Sequence, residues 1–323
     1  MALVRMRRAF LQAVVGVLFT AGSGFAAQAF PDRPITVIVP YPAGGGTDIV
    51  ARTLVNEMQK ELGVAINVVN RGGGGGIVGT TAIASAKPEG YTIGLVASDI
   101  SIYKPQGLSD LTFADVTAIG EVDELPGGIT VSATSSYQKL SDLIDAIKAH
   151  PNTLKGTGAA PGTNWNIGFS GFMLAAGLDP KTVIWVPTQG GTAGHLDVAA
   201  GNSTFSTASL AEARALIEAK KLRPLAVMAD ERTKIFPDVP TLKELGINWS
   251  FGLWHGVVGP KNLPPEEFKI LSAAVKKAAN TPAFRTAIEE RGFRAVWRGG
   301  DDFTEFMKAD LATMQELFNG LKK

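Results

Sequence analysis

The chain has 323 residues, 45% of them hydrophobic and 19% charged, with 37 glycines, 18 prolines and no cysteine. That length and apolar content suit a folded protein of two domains and exclude a disordered or collagen-like chain, while the lack of cysteine excludes disulfides, thiolate catalysis, zinc fingers and iron–sulfur ligation. A net charge of +1 offers no broad basic surface, so no nucleic acid is expected as a partner.

At the N-terminus Arg5, Arg7 and Arg8 precede an apolar run over 9–25 and the small-x-small triplet Ala27-Gln28-Ala29. The run is shorter than the roughly 20 residues a spanning helix needs, so residues 1–29 read as an export signal cut before Phe30. Arg7-Arg8 followed by Ala9 to Gln12 also fits the twin-arginine route, which carries folded cargo. Cleavage removes three arginines and no acid, leaving a slightly acidic exported chain of net charge −2.

Beyond Phe30 the β-branched run Ile35 to Val39 predicts a buried strand, and Val50, Leu54, Met58 and Leu62 recur at helical spacing until Gly63 stops them. Strands over 65–69 and 92–96 with a helix over 77–86 between them continue the alternation, which implies a parallel sheet. The pattern restarts near Tyr137 with helices over 140–150 and 164–176 and strands near Leu154 and over 182–186. A strand over 222–228, another over 253–258 and helices over 266–280, 283–291 and 303–321 follow. The expected architecture is α/β with two lobes: 30–130 plus 249–323 as the first, 131–248 as the second. Two crossings between them would make a hinge.

Two glycine-rich loops sit where open α/β sheets bind ligands, between a strand's C-terminal end and a helix's N-terminus. In the first, Tyr41-Pro42-Ala43-Gly44-Gly45-Gly46-Thr47-Asp48, glycine lets the backbone come close to a ligand, and Thr47 or Asp48 can cap the helix while neighbouring amides stay open to an anion. No Lys follows the glycines, which excludes a nucleotide-triphosphate loop of the Walker type and favours a carboxylate. The second, Gly156 to Thr163, repeats the arrangement in the other half, with Thr163 or Asn164 as cap. Asp48 beside the anion argues for backbone or water-mediated contact. Gly72 to Gly76 formally matches a dinucleotide fingerprint, but it follows the second strand of its unit and reads as a flexible or shape-filling loop. His150, His195 and His255 lack metal-ligand spacing and read as surface or core residues; no Gly-x-Ser-x-Gly elbow occurs, and no cofactor is expected. Trp165, behind the second loop, is a candidate for covering a ligand.

The motifs Tyr41 to Asp48, Asn70-Arg71, Pro88-Glu89-Gly90-Tyr91-Thr92, Val186-Pro187, Phe236-Pro237-Asp238-Val239-Pro240-Thr241 and Trp254-His255-Gly256 together resemble the Bug (Bordetella uptake gene) family, periplasmic solute receptors of tripartite tricarboxylate transporters. The resemblance implies a two-lobed periplasmic-binding-protein fold of type II character that closes, as a monomer, on a small organic carboxylate and hands it to membrane permease subunits. It assigns the carboxylate to the two glycine loops, partly through ordered waters. The expected ligand-binding residues are Tyr41, Ala43, Gly44, Gly45, Gly46, Thr47, Asp48, Ser98, Thr157, Gly162, Thr163, Asn164, Thr188 and Gln189. Gly72 replaces a common proline, Thr188-Gln189-Gly190 replaces Tyr-Lys-Gly, and Ala200 to Thr204 replaces a Gly-Gly-x-Val-Asp stretch, so the far end of the ligand is expected to differ and to be partly aromatic or uncharged. An enzyme on the same scaffold using Asp48 or Asp99, or a sensor for a membrane kinase, are the competing readings.

Overall fold

The computed structural model describes residues 30–321, so the expected export signal lies outside the described residues. Two mixed sheets with flanking helices form the molecule. In the first sheet β1 (Ile35–Val39), β2 (Ile66–Asn70) and β3 (Thr92–Ala97) run parallel, and α1 (Gly46–Leu62) and α2 (Ile77–Ala84) connect them. The order is completed by β4 (Val116–Pro126), β10 (Gly252–Pro260) and β11 (Arg294–Gly299), giving β11-β4-β10-β3-β1-β2 with antiparallel pairing along β3–β10–β4–β11. The second sheet has the order β7-β6-β8-β5-β9, from β5 (Gly128–Ser132), β6 (Lys155–Thr157), β7 (Ile184–Val186), β8 (Phe205–Ser206) and β9 (Leu222–Val227). Its helices are α3 (Leu140–Ala149), α4 (Asn164–Ala175), α5 (Gly191–Ala199) and α6 (Arg214–Glu218); α7 (Pro265–Ala279), α8 (Pro282–Glu289) and α9 (Gly300–Leu321) follow β10.

Apolar periodicity explains the helices that pack on each sheet. Val50, Leu54 and Met58 of α1 are buried on one stripe, and Leu140, Leu143 and Ile147 of α3 do the same in the second core beside Ile129, Val131 and Phe205. The alternation implied parallel strands, and β1, β2 and β3 are parallel. The sequence pattern predicts no strand at β4, β5 or β11, and in β4 the acids Glu121, Asp123 and Glu124 mask a buried strand. Glu121 and Asp123 are 0% exposed and Glu124 is half-buried, and partners across the sheet hold all three. Arg298 pairs with Glu121, Arg294 with Glu124, and His255 with Asp123.

The chain passes from the first sheet to the second between Pro126 and Gly128 and returns between Val227 and Gly252. The two crossings lie side by side: the Gly127 amide donates to Phe251 O at 2.9 Å, Met228 N to Gly127 O at 2.8 Å and Phe251 N to Met228 O at 2.9 Å. Paired strands of this kind can flex together without losing their hydrogen bonds.

His195 sits at 0% exposure in α5, with Thr130 Oγ1 at 3.2 Å and the Ser209 carbonyl at 3.0 Å. Burial pushes its imidazole down to about 4, against the smaller opposing pull of the Ser209 carbonyl. A depressed histidine is neutral in the fold and takes up a proton on unfolding, so this contribution is intact above about pH 6.5 and is lost as pH falls towards 4. Urea melts of the wild type and of His195→Gln between pH 7 and pH 4 should show the steeper acid loss in the wild type; parallel pH profiles would remove His195 as its source.

Candidate functional site

The two glycine loops are built on one plan. Gly44, at φ +81°, donates its amide to Asp48 Oδ2 at 2.8 Å; Gly162, at φ +75°, donates its amide to Asn166 Oδ1 at 2.8 Å. In each, a left-handed glycine turns the chain and a side chain four residues on ties it down, so α1 and α4 begin two residues after their glycines. Neither helix has a side-chain cap. Asp48 turns back to Gly44, and Thr163, in the cap position, donates its hydroxyl to Ala160 O at 2.7 Å, so the expected caps at Thr47 or Asp48 and at Thr163 or Asn164 are not formed. The first-turn amides of Gly46, Thr47 and Asp48 and of Asn164, Trp165 and Asn166 meet no protein acceptor among the described residues. Ala43, Gly44, Gly45 and Gly46 are exposed.

Asp48 does not oppose an anion as a bare charge would. Arg52 Nε reaches both of its oxygens at 3.0 and 3.1 Å, and Asn70 Nδ2 donates to Oδ1 at 2.9 Å. Burial works against its ionisation, but the Arg52, Gly44 and Asn70 hydrogen bonds outweigh burial and hold the carboxyl below its ordinary range. Asn70 Nδ2 also reaches Tyr41 O at 3.0 Å, so the asparagine of the Asn-Arg motif braces the first loop.

Behind the first loop lies a buried chain that sequence spacing could not show. Thr47 Oγ1 stands 3.0 Å from His255 Nε2, and His255 Nδ1 stands 2.8 Å from Asp123 Oδ1. His255 is 2% exposed, so the histidine read as surface or core belongs to the core but touches the loop. A β-bulge between His255 and Gly256 shifts the register of β10 on β4 at this point. Beside it, Tyr41 donates its hydroxyl to Asp99 Oδ2 at 2.7 Å; burial raises Asp99, with the Tyr41 bond the largest opposing effect, and burial together with Asp99 drives the Tyr41 phenol well above its normal value.

The second loop is tied to the segment that follows β3. Gln106 Nε2, in the segment after β3, donates to Gly162 O at 2.5 Å, and the Asn164 side chain hydrogen-bonds Asp99 and works against the rise that burial causes there. The floor between them is apolar: Leu125, Ala159, Trp165 and Ala208 are buried together, with Phe251 and Phe293 against them. A Cβ on Gly46 would stand 3.4 Å from the Phe293 ring. Ser98 is buried at the end of β3 with its hydroxyl unpartnered. Thr157 is fully buried and gives its hydroxyl to Val186 O at 2.8 Å, and Thr188 directs its own towards Gly190 O at 3.3 Å; Gln189 is exposed. Of the run Gly72 to Gly76 only Gly76 is buried, and a Cβ on it would come within 2.6 Å of Tyr103 Oη and 2.9 Å of Tyr41 Oη.

Two mixed sheets with flanking helices, joined by paired crossings, make the two-lobed fold of periplasmic solute-binding proteins. The family model of the tripartite tricarboxylate transporter family receptor matches residues 50–322, and the chain belongs to that family. BugT of Bordetella pertussis is 29% identical over 312 residues, covering 93% of this chain and 94% of that protein. A TctC solute-binding protein from Polaromonas, solved without ligand, is 32% identical, with a TM-score of 0.83 over 90% of this chain and 100% of that one. MatC from Rhodopseudomonas palustris, solved with bound malate, shares the fold at 24% identity and a TM-score of 0.71, over 90% of this chain and 100% of that one. Among the described residues, no helix is long and apolar enough to cross a membrane.

Proposed function

We propose that this receptor is exported to the periplasm behind a cleaved signal, captures one small organic carboxylate between its two glycine turns, and delivers it to the permease subunits of a tripartite transporter. The observation that carries this reading is the repeated turn: two helix N-termini, each opened by a left-handed glycine tied to an Asx side chain, with linked residues on both sides of one cleft. Each N-terminus favours negative charge by about 0.3–1 kcal/mol, and each hydrogen bond to a charged group adds about 1.5–3 kcal/mol. MatC, which shares the fold, carries malate, a carboxylate. We assign the carboxylate to Gly45, Gly46, Thr47 and Asp48 on one side and Thr163 and Asn164 on the other, with Ser98 and Tyr41 beside them; Gln189 and Thr188 border the far end. The lobe boundaries belong at the two crossings, and the arginine pair before the signal's apolar run supports the twin-arginine route.

Asp48 is not an acid or base in this reading, since Arg52, Asn70 and Gly44 occupy its oxygens, and Asp99 is engaged by Tyr41. Native mass spectrometry of the purified protein should reveal one co-purifying carboxylate per chain. Returned to the stripped protein at a hundred times its Kd, it should stabilise the fold by about 2.7 kcal/mol and be recovered unchanged. Conversion of the ligand, or no stabilisation by any carboxylate, would overturn the assignment.

A further inference from the structure

We infer that the segment joining β3 to β4 is a latch between the lobes: Asp99 and Gln106 clasp the second glycine turn to the first lobe, and ligand enters and leaves only when that clasp opens. The clasp is a property of the fold, whereas its gating of ligand rests on the proposed function.

The segment is anchored on its own side. Ile100 and Tyr103 are buried in the core of the first sheet with Ile38 and Ile83, and the Tyr103 hydroxyl donates to Gly75 O at 3.0 Å. Gln106 closes a turn that begins at Ile102, to whose carbonyl its amide donates at 3.1 Å. From this base two side chains reach the other lobe. Asp99 accepts the Tyr41 hydroxyl of the first loop and is also hydrogen-bonded by the side chain of Asn164, the first residue of α4. Gln106 Nε2 donates to Gly162 O, so Gly162 is held at both ends, its amide by Asn166 and its carbonyl by Gln106.

Neither bond belongs to the hinge. The crossings at Gly127, Met228 and Phe251 are bonded to one another and move as a unit, but rotation about them separates Gln106 from Gly162, because the two stand on different lobes. The apolar contact of the same segment, Ile102 with Ile167 of α4, borders Phe251 of the crossing and so moves less than the polar clasp. All partners in the clasp are protein groups, which makes it available with or without a ligand. One neutral hydrogen bond biases a two-state equilibrium by about two- to tenfold, enough to favour the clasped state and little enough to let it open.

The chain has no cysteine, so Val78→Cys on α2 and Leu196→Cys on α5, both at exposed positions, put one nitroxide label on each lobe. Dipolar spectroscopy of the labelled protein, stripped of ligand by unfolding and refolding, should be dominated by one interlobe distance with Gln106 in place. Gln106→Met keeps the length of the side chain and removes its donor; it should shift the population towards a second distance by about two- to tenfold. Gln106→Glu, which turns an oxygen towards Gly162 O, should shift it further, and Gln106→Arg, which restores a donor, should bring it back. Malate and adipate serve as probes of gating: in stopped-flow they should leave Gln106→Met faster than wild type by the same factor as the population shift. A bond that merely braces the turn would lower the thermal midpoint without changing the distances. One unchanged distance distribution in every variant would overturn the latch while the proposed function stands. A shift in distances with no change in dissociation rates would overturn the gating. If the distances shift but no carboxylate, these two included, binds any of the proteins, the proposed function fails and the clasp is upheld.

Discussion

Gly45→Val is expected to abolish carboxylate binding while leaving the fold nearly untouched. Gly45 has φ −75° and ψ 169°, extended backbone open to any residue, and a Cβ there meets only Pro42 O, at 3.4 Å. The strain of the turn is held instead by Gly44 at φ +81°. Valine at position 45 would stand over the first-turn amides of α1 and deny an anion its approach. Losing two charge-assisted hydrogen bonds of about 1.5–3 kcal/mol each lowers affinity by a factor on the order of 100 or more. Thermal melts should shift by no more than about 2 °C, since a surface change of this kind costs at most about 0.5 kcal/mol. Gly44→Val makes the contrast, straining the left-handed turn by about 1–3 kcal/mol and lowering stability as well as binding. Near-native affinity in Gly45→Val would remove the first turn from the site.

The second large effect concerns His255. Truncating it to alanine leaves Asp123 buried at 0% exposure without its hydrogen-bonded histidine and frees the Thr47 hydroxyl from 3.0 Å contact. Removing one member of a buried pair costs about 3–5 kcal/mol because the other remains as an uncompensated group. Urea denaturation of His255→Ala should show a loss of that order, and the double variant His255→Ala, Asp123→Ala should recover part of it. A loss below about 1 kcal/mol would mean that the pair contributes little and that Thr47 is positioned by α1 alone.

Much of the frame could be read from local pattern. The β-branched run at Ile35 and the helical stripe at Val50, Leu54 and Met58 announce β1 and α1, and both glycine loops fall between a strand and a helix as their composition implies. The turn at Gly44 was legible for the same reason: positive φ is a local demand that glycine meets. The layer behind it was not. Asp123 and His255 are 132 residues apart, and only the antiparallel pairing of β4 with β10 brings them together. A strand carrying three acids resembles a solvated segment until its partners are known, so β4 was missed along with its role. Nor could spacing reveal that Asp48 faces Gly44 rather than the cleft, or that Gln106 and Gly162 meet.

One ligand carboxylate is expected to be shared by the amides of both turns. An NMR titration of the 15N-labelled protein with the co-purifying carboxylate reads those amides directly. Gly46 and Thr47 on one side and Asn164 and Trp165 on the other should shift together along one saturation curve, with a common Kd. Shifts confined to one turn, or two curves with separate midpoints, would contradict it.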